Sequence, residues 1–244
     1  PEADGALAGR VVLVTGGGGG LGAAISLRAA HAGASVVVAD VREQAAVDVA
    51  ARITADGARA IGIRMDVSDP ADVERALDEA RARASSIDAV INNAGIDVTC
   101  GIAELAVADW DRVIRTNLSG PFYLVKRALP QLMRSPGAHV VNIVSTAARR
   151  AWPNASVYHA SKWGLLGLSH AMHAELRPYK IKVTAVLAGG MRTPFLLDRF
   201  PDIPLENLQD PNNVAQAVVF ALTQPAGTVL AELMVLPMNE TSWP

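Results

Sequence analysis

Seven short apolar runs rich in β-branched residues punctuate this chain, at 10–15, 35–40, 59–64, 88–93, 139–145, 181–188 and 228–236. They are nearly continuous rather than alternating, a pattern that marks strands buried on both faces of a parallel sheet. Parallel neighbours cannot be joined by a two-residue turn, so each pair needs a crossover, usually helical. The stretches between the runs supply it. "LGAAISLRAAHAG" is Ala-rich and stops at Gly33, "DVREQAAVDVAARITADG" closes at Gly57, and "DPADVERALDEARARA" opens with Asp69 as N-cap and Pro70 at the first helical position. Strands alternating with helices predict a doubly wound, mainly parallel seven-stranded α/β sheet, Rossmann-like, with helices on both faces and ligands beyond the C-terminal strand ends.

The chain has 244 residues, half of them hydrophobic, with no internal repeat, low-complexity tract or linker, so a single domain over 1–244 is expected. The least regular stretch, 189–211, carries four prolines and is expected to cover the substrate. A formal charge of -2 without any block of Lys or Arg leaves no footprint for nucleic acid or an anionic membrane. Small molecules and sister subunits are the expected partners. Cys100 stands alone, no apolar run is long enough to span a bilayer, and nothing at the start reads as a signal segment, so a cytoplasmic location is expected. Nothing is read from the first eight positions.

"TGGGGGLG", Thr15–Gly22, follows the first strand directly. Glycine is costly to order, so five in a row need a reason. A helix N-terminus after a strand offers unpaired N–H groups and partial positive charge, and a pyrophosphate approaches closest where no Cβ intervenes. Three registers fit: Gly17, Gly19 and Gly22; Gly16, Gly20 and Gly22 after Thr15; or Gly16, Gly19 and Gly22. A methyltransferase-like loop or a plain tight turn fits too. Asp40 closes the second strand, where a carboxylate can accept from both adenosine ribose hydroxyls and repel a 2′-phosphate, which favours NAD over NADP. Arg42 could instead swing toward such a phosphate, and Asp40 could simply cap a helix. Asp66 in "MDV", beside Val67, is a candidate for the adenine amino group or another cap.

"YHASK" places Tyr158 and Lys162 four residues apart in a helical stretch, on one face. Ser145 ends the fifth strand, at the sheet edge where ligand would lie. Hydride transfer at a carbinol carbon requires a proton to move on its oxygen, and a cation beside a phenol favours the phenolate. A surface tyrosine over a snorkelling lysine is the alternative.

With "TGGGGGLG", "NNAG" at 92–95, Asn117, Ser145 and "YHASK" in this order and spacing, the chain resembles the short-chain dehydrogenase/reductase family, in its short single-domain branch, over essentially its whole length. The resemblance implies an NAD(P)-dependent enzyme acting on secondary alcohols and ketones, and a homotetramer or homodimer. It implies Tyr158 as acid/base, Lys162 on the nicotinamide ribose lowering the tyrosine pKa, Ser145 orienting substrate, and Asn117 supporting a proton path through water. It makes Gly16, Gly20, Leu21 and Gly22 the phosphate loop, sets Asn92, Ala94 and Gly95 beside the cofactor, and gives Gly189 and Thr193 nicotinamide contacts. The chain departs from the family where Ala188 replaces the usual Pro before Gly189, and where "AELMVLPMNETSWP" lacks the usual Gly pair. Two other readings stand beside an NAD-dependent alcohol dehydrogenase: an NADPH-dependent 3-oxoacyl-thioester ketoreductase, and a non-catalytic nucleotide-responsive binding protein.

No His pair has metal-ligand spacing, so no metal is expected and His159, His170 and His173 read as packing or surface. Trp163 reads as packing, against its own chain or a sister subunit. Trp152, Asn154, Met191, Phe195 and Leu196 are candidates for an apolar pocket or for ordinary packing, and Arg149 and Arg150 for a solvated pair.

Overall fold

The computed structural model describes residues 5–240. Seven strands, β1 (Val11–Thr15), β2 (Ser35–Asp40), β3 (Ala60–Arg64), β4 (Ala89–Asn92), β5 (His139–Ile143), β6 (Lys182–Ala188) and β7 (Glu232–Val235), form one sheet in the order β3-β2-β1-β4-β5-β6-β7. Every pairing is parallel. The helices are α1 (Gly20–His31), α2 (Glu43–Ala55), α3 (Pro70–Ala84), α4 (Val107–Ile114), α5 (Gly120–Leu132), α6 (Ser156–Leu176), α7 (Pro194–Leu197) and α8 (Pro211–Leu222). This is the doubly wound Rossmann-like architecture. The chain winds outward through β2 and β3, then returns to β4 on the other side of β1, which puts a switch point and its crevice at the C-terminal ends of β1 and β4.

The continuous apolar runs follow from two cores. Val12 and Val14 of β1 face one core with residues of α1, α2 and α8, while Val11 and Leu13 face the other with residues of α3, α5 and α6. Helix ends follow their signals: Gly33 and Gly57 turn left-handed after α1 and α2, and the Asp69 carboxylate accepts the Ala71 N–H at 2.9 Å with Pro70 beginning α3.

The seventh strand corrects the sequence expectation. Only Glu232–Val235 pair, and Glu232 and Met234 are exposed. As the outermost strand, β7 has a neighbour on one side only. Glu232 accepts from Arg149 at 2.5 Å and lies 2.6 Å from a His170 ring nitrogen, so polar partners hold the outward side of the strand.

At the N-terminal strand ends His139 is fully buried, one ring nitrogen 2.8 Å from Thr184 Oγ1. Burial, with help from Lys182 and then Arg10, pushes its pKa down to about 3. The folded chain therefore binds this proton less readily than the unfolded chain, so the stability contribution of neutral His139 is complete above pH ~6.5 and is lost as pH falls toward 3. The slope is at most about 1.4 kcal/mol per pH unit. Urea midpoints at pH 7 and pH 5 should show the wild type losing more stability than His139→Gln; parallel losses would rule out this group as a source of acid sensitivity.

Candidate active site

The glycine turn crosses from β1 to α1 with Gly16 and Gly20 at positive φ, +61° and +50°. A Cβ on Gly22 would lie 2.1 Å from the Gly16 carbonyl oxygen. These three satisfy the register that begins at Thr15. Gly19, the N-cap of α1, offers no side chain, and no acidic residue occupies the first helical turn. The N–H groups of that turn are thus left for a ligand, with the positive helix end behind them. Bare backbone, helix dipole and a switch-point crevice fit a dinucleotide pyrophosphate.

Asp40 ends β2 with its carboxylate turned to this loop, accepting from the Gly18 N–H at 3.0 Å and the Arg42 N–H at 3.0 Å. It holds the loop as well as bordering the crevice, and it is not the N-cap of α2, which is Arg42. The Arg42 guanidinium lies 3.6 Å from Asp40 and 3.7 Å from where a Cβ on Gly19 would sit. Asp66 builds a turn, its Oδ1 accepting from Ser68 N at 2.9 Å and Ser68 Oγ at 2.7 Å. The helix cap after it is Asp69, so capping by Asp66 is set aside. Val67 is buried, its carbonyl 2.9 Å from where a Cβ on Gly120 would stand.

Beyond β4 the four residues of "NNAG" divide their work. The Asn92 amide is buried and donates to Asn142 Oδ1 on β5 at 2.7 Å, so its side chain ties the sheet together and does not reach into the crevice. Asn93, which sequence reasoning passed over, donates to the carbonyls of Thr15 at 2.9 Å and Gly16 at 3.2 Å. Thr15 Oγ1 in turn accepts from the N–H groups of Asn93 and Ala94, each at 3.1 Å. Glycine turn and "NNAG" are therefore one rigid unit. A Cβ on Gly95 would sit 3.7 Å from Lys162 Nζ. Asn117 lies in a π-helical turn, Arg115–Ser119, between α4 and α5. π turns recur at functional sites. Its amide clasps Ile96, accepting from the N–H and donating to the carbonyl, both at 2.8 Å, and donates to Ser161 Oγ at 3.0 Å.

Ser145 caps a short 3₁₀ turn, Thr146–Ala148, just past β5 and accepts the Ala147 N–H at 3.1 Å. Tyr158 and Lys162 share a face of α6, the ammonium 5.6 Å from the phenol ring centroid. The three side chains meet above the C-terminal end of the sheet. Lys162 is buried and donates to the Ile143 carbonyl at 2.9 Å; burial lowers its pKa to about 8, against the pull of Asp97. Burial raises Tyr158 to about 12, opposed by a hydrogen bond from Ser145, reinforced by the Asp97 charge and opposed again by Arg199. Desolvation sets the direction for the Tyr158 phenol in the chain alone, while the ammonium is turned to a carbonyl.

The proline-rich stretch is more ordered than its composition suggests, with a bridge between Met191 and Gln209, helix α7 and a 3₁₀ turn at Leu205–Asn207. Thr193 is buried against the glycine turn, its Cγ2 3.5 Å from where a Cβ on Gly20 would be. Gly189 packs under Pro237 and Glu240, its N–H donating to Val235. The Phe195 ring stands 6.0 Å from that of Tyr158. Arg199 stacks on Phe195 at 4.2 Å and forms an ion pair with Asp97, a contact sequence reasoning missed. His159 packs edge-on to Trp152 at 4.4 Å, Asn154 accepts the Cys100 N–H, and Trp163 is half exposed. Arg149 is paired rather than solvated. Among the described residues no group of three His, Cys, Asp or Glu is placed to hold a metal, and no helix is long and apolar enough to cross a membrane.

Comparison with known proteins adds three findings. The family model described as short chain dehydrogenase matches residues 10–203. A 2,5-dichloro-2,5-cyclohexadiene-1,4-diol dehydrogenase of Sphingobium indicum is 33% identical over 90% of this chain and 91% of its own, and a cyclohexanol dehydrogenase of an Acinetobacter species is 32% identical over 96% and 95%. A metagenomic short-chain oxidoreductase solved in complex with NADP superposes with a TM-score of 0.84 at 28% identity, over 96% of this chain and 99% of the other.

Proposed function

The chain belongs to the short-chain dehydrogenase family and is an oxidoreductase of CH–OH groups; from that premise we propose that it interconverts a cyclic secondary alcohol and its ketone with NAD, Tyr158 serving as acid/base. The observation that carries the reading is the meeting of Ser145, Tyr158 and Lys162 beside a glycine turn shaped for a pyrophosphate. Cyclic substrates are favoured by the relatives named for cyclohexanol and a cyclohexadienediol.

The nicotinamide, when bound, takes or gives the hydride. The protein's part is the proton and the geometry. Tyr158, held as the phenol by burial, delivers a proton to the ketone oxygen, or as phenolate takes one from the alcohol. Ser145 holds the substrate oxygen and stabilises charge developing on it. Lys162, fixed by Ile143, presents positive charge to the ribose side, and Asn117 keeps the Gly95–Ile96 segment beside it. Gly16, Gly20, Leu21 and Gly22 would receive the pyrophosphate, Asp40 the adenosine ribose, Asp66 and Val67 the adenine, Ala94 and Gly95 the inner ribose, and Gly189 and Thr193 the carboxamide, while Asn92, tied to Asn142, would support that segment from within the sheet. Residues 189–211 cover the substrate in a single domain spanning 1–244. Half-exposed Trp163 on α6 and Phe122 on α5 are apolar surface suited to subunit contact, and a cytoplasmic homotetramer fits the reading.

Asp40 supports NAD, while Arg42 above the glycine turn and the NADP-bound neighbour favour a second reading, an NADPH-dependent 3-oxoacyl-thioester ketoreductase. Kinetics with both nucleotides decide. The wild type should prefer NAD by about tenfold or more in kcat/KM on cyclohexanol, because a 2′-phosphate would stand against the Asp40 carboxylate. Asp40→Asn keeps an acceptor for Gly18 and removes the charge, so it should narrow that ratio; preference for NADP, or an unchanged ratio in the variant, would refute the assignment.

A further inference from the structure

Asp97 is the one buried carboxylate beside the proposed catalytic residues among those described. Its side chain is only 7% exposed, and Oδ2 is paired with Arg199. Oδ1 is buried without any hydrogen-bond donor. A buried carboxylate oxygen lacking a donor is costly, and such a group is retained where something else supplies one.

The surroundings say what. Asn117 holds both the N–H and the carbonyl of Ile96, which sets the direction in which Asp97 leaves the chain. Lys162 Nζ lies against Gly95 two residues earlier. The Arg199 that pairs with Asp97 stacks on Phe195, and Phe195 stands over Tyr158. The Asp97 charge is felt by both the Tyr158 phenol and the Lys162 ammonium. The orphan oxygen therefore belongs to the same cluster of side chains as Tyr158, linked to it through Arg199 and Phe195. Because Arg199 already supplies the counter-charge, a neutral donor completes the site better than a second cation, and a substrate carboxylate would meet the Asp97 lone pairs.

We propose that Asp97 is a specificity-determining residue whose Oδ1 accepts a second hydroxyl of the substrate, so that the enzyme prefers diols or polyols to simple carbinols. The inference rests on the reading of the site as an alcohol dehydrogenase and names its substrate class.

The test compares kcat/KM for cyclohexanol with that for the cyclohexane-1,2-, 1,3- and 1,4-diols, using NAD and the full chain. A site built to bond a hydroxyl rejects the analogue lacking it, so the best diol should exceed cyclohexanol by about tenfold or more, against about two for the mere presence of two hydroxyls. Asp97→Ala should bring the ratio down to about that statistical value. Arg199→Met, which removes the ion pair and leaves Oδ1, should keep the preference. If the alanine variant does not fold, the Asp97→Ala/Arg199→Met double variant, which leaves no buried charge unpaired, is read in its place. A statistical ratio in the wild type, a preference that survives loss of Asp97, or one that collapses with Arg199 alone would each overturn the proposal while leaving alcohol oxidation standing. Failure to oxidise any of these alcohols would instead sink the underlying reading, and this one with it.

Discussion

Tyr158→Phe should bind NAD as the wild type does and turn over cyclic alcohols about a hundred- to ten-thousandfold more slowly, the range associated with a positioned acid/base. The substitution removes one oxygen and little else. The ring keeps its place between α6 and Phe195, and the glycine turn is held by Asn93, Thr15 and Asp40, none of which touches the phenol. The nucleotide therefore loses no more than one hydroxyl contact, while the substrate oxygen loses its proton partner. The pH dependence carries the same signature. With the phenol near 12 and the lysine near 8, both set first by burial, phenolate is scarce at neutral pH. Oxidation by the wild type should speed up as pH rises toward phenolate formation, and the variant should lose that rise. Fluorescence titration of nucleotide binding together with steady-state rates checks both halves; wild-type turnover in Tyr158→Phe would remove Tyr158 from the chemistry.

What the sequence discloses depends on how local each constraint is. A strand buried on both faces must be apolar throughout, which is why the runs at β1, β2 and β5 can be read directly, whereas β7, an edge strand secured by Glu232 to Arg149 and His170, carries no such demand and its bounds cannot. Tyr158 and Lys162 are legible because four residues on a helix make neighbours whatever the rest of the chain does. The Asp97–Arg199 pair is not, since 102 residues separate its members and only the fold of the stretch after β6 brings them together. Asn117 can be picked out by position in a known pattern, but its clasp on Ile96 depends on a π turn that no residue preference announces. Asn92 shows the opposite failure: a motif places it near the crevice, and a cross-strand partner on β5 claims its amide. The raised pKa of Tyr158 is hidden in the sequence too, because it follows from burial that only the fold sets.

The glycines of this turn differ from one another in ways a substitution series will separate. Gly22→Ala would set a methyl 2.1 Å from the Gly16 carbonyl and 2.6 Å from the Asn93 amide, both inside the rigid unit that joins β1 to "NNAG". Neither neighbour can yield, because Asn93 holds Thr15 and Gly16 together. Overpacking of this kind should cost about 3 kcal/mol or more, a large part of a stability of roughly 5–15 kcal/mol, and should open the turn that receives the nucleotide. Gly19 is the counter-case. Its backbone is extended, φ -175°, a conformation any residue adopts, and only an exposed Arg42 guanidinium comes near a Cβ there. Gly19→Ala should cost no more than about 1 kcal/mol, the scale of the glycine-over-alanine preference at an N-cap. If Gly19 is nonetheless required for nucleotide affinity, the need comes from the ligand and not from the fold, since the apoprotein has room for the methyl. Urea midpoints paired with NAD titrations for the two variants therefore separate glycines that the chain needs in order to fold from one that it keeps for what it binds; equal destabilisation by both would contradict the packing described for Gly22.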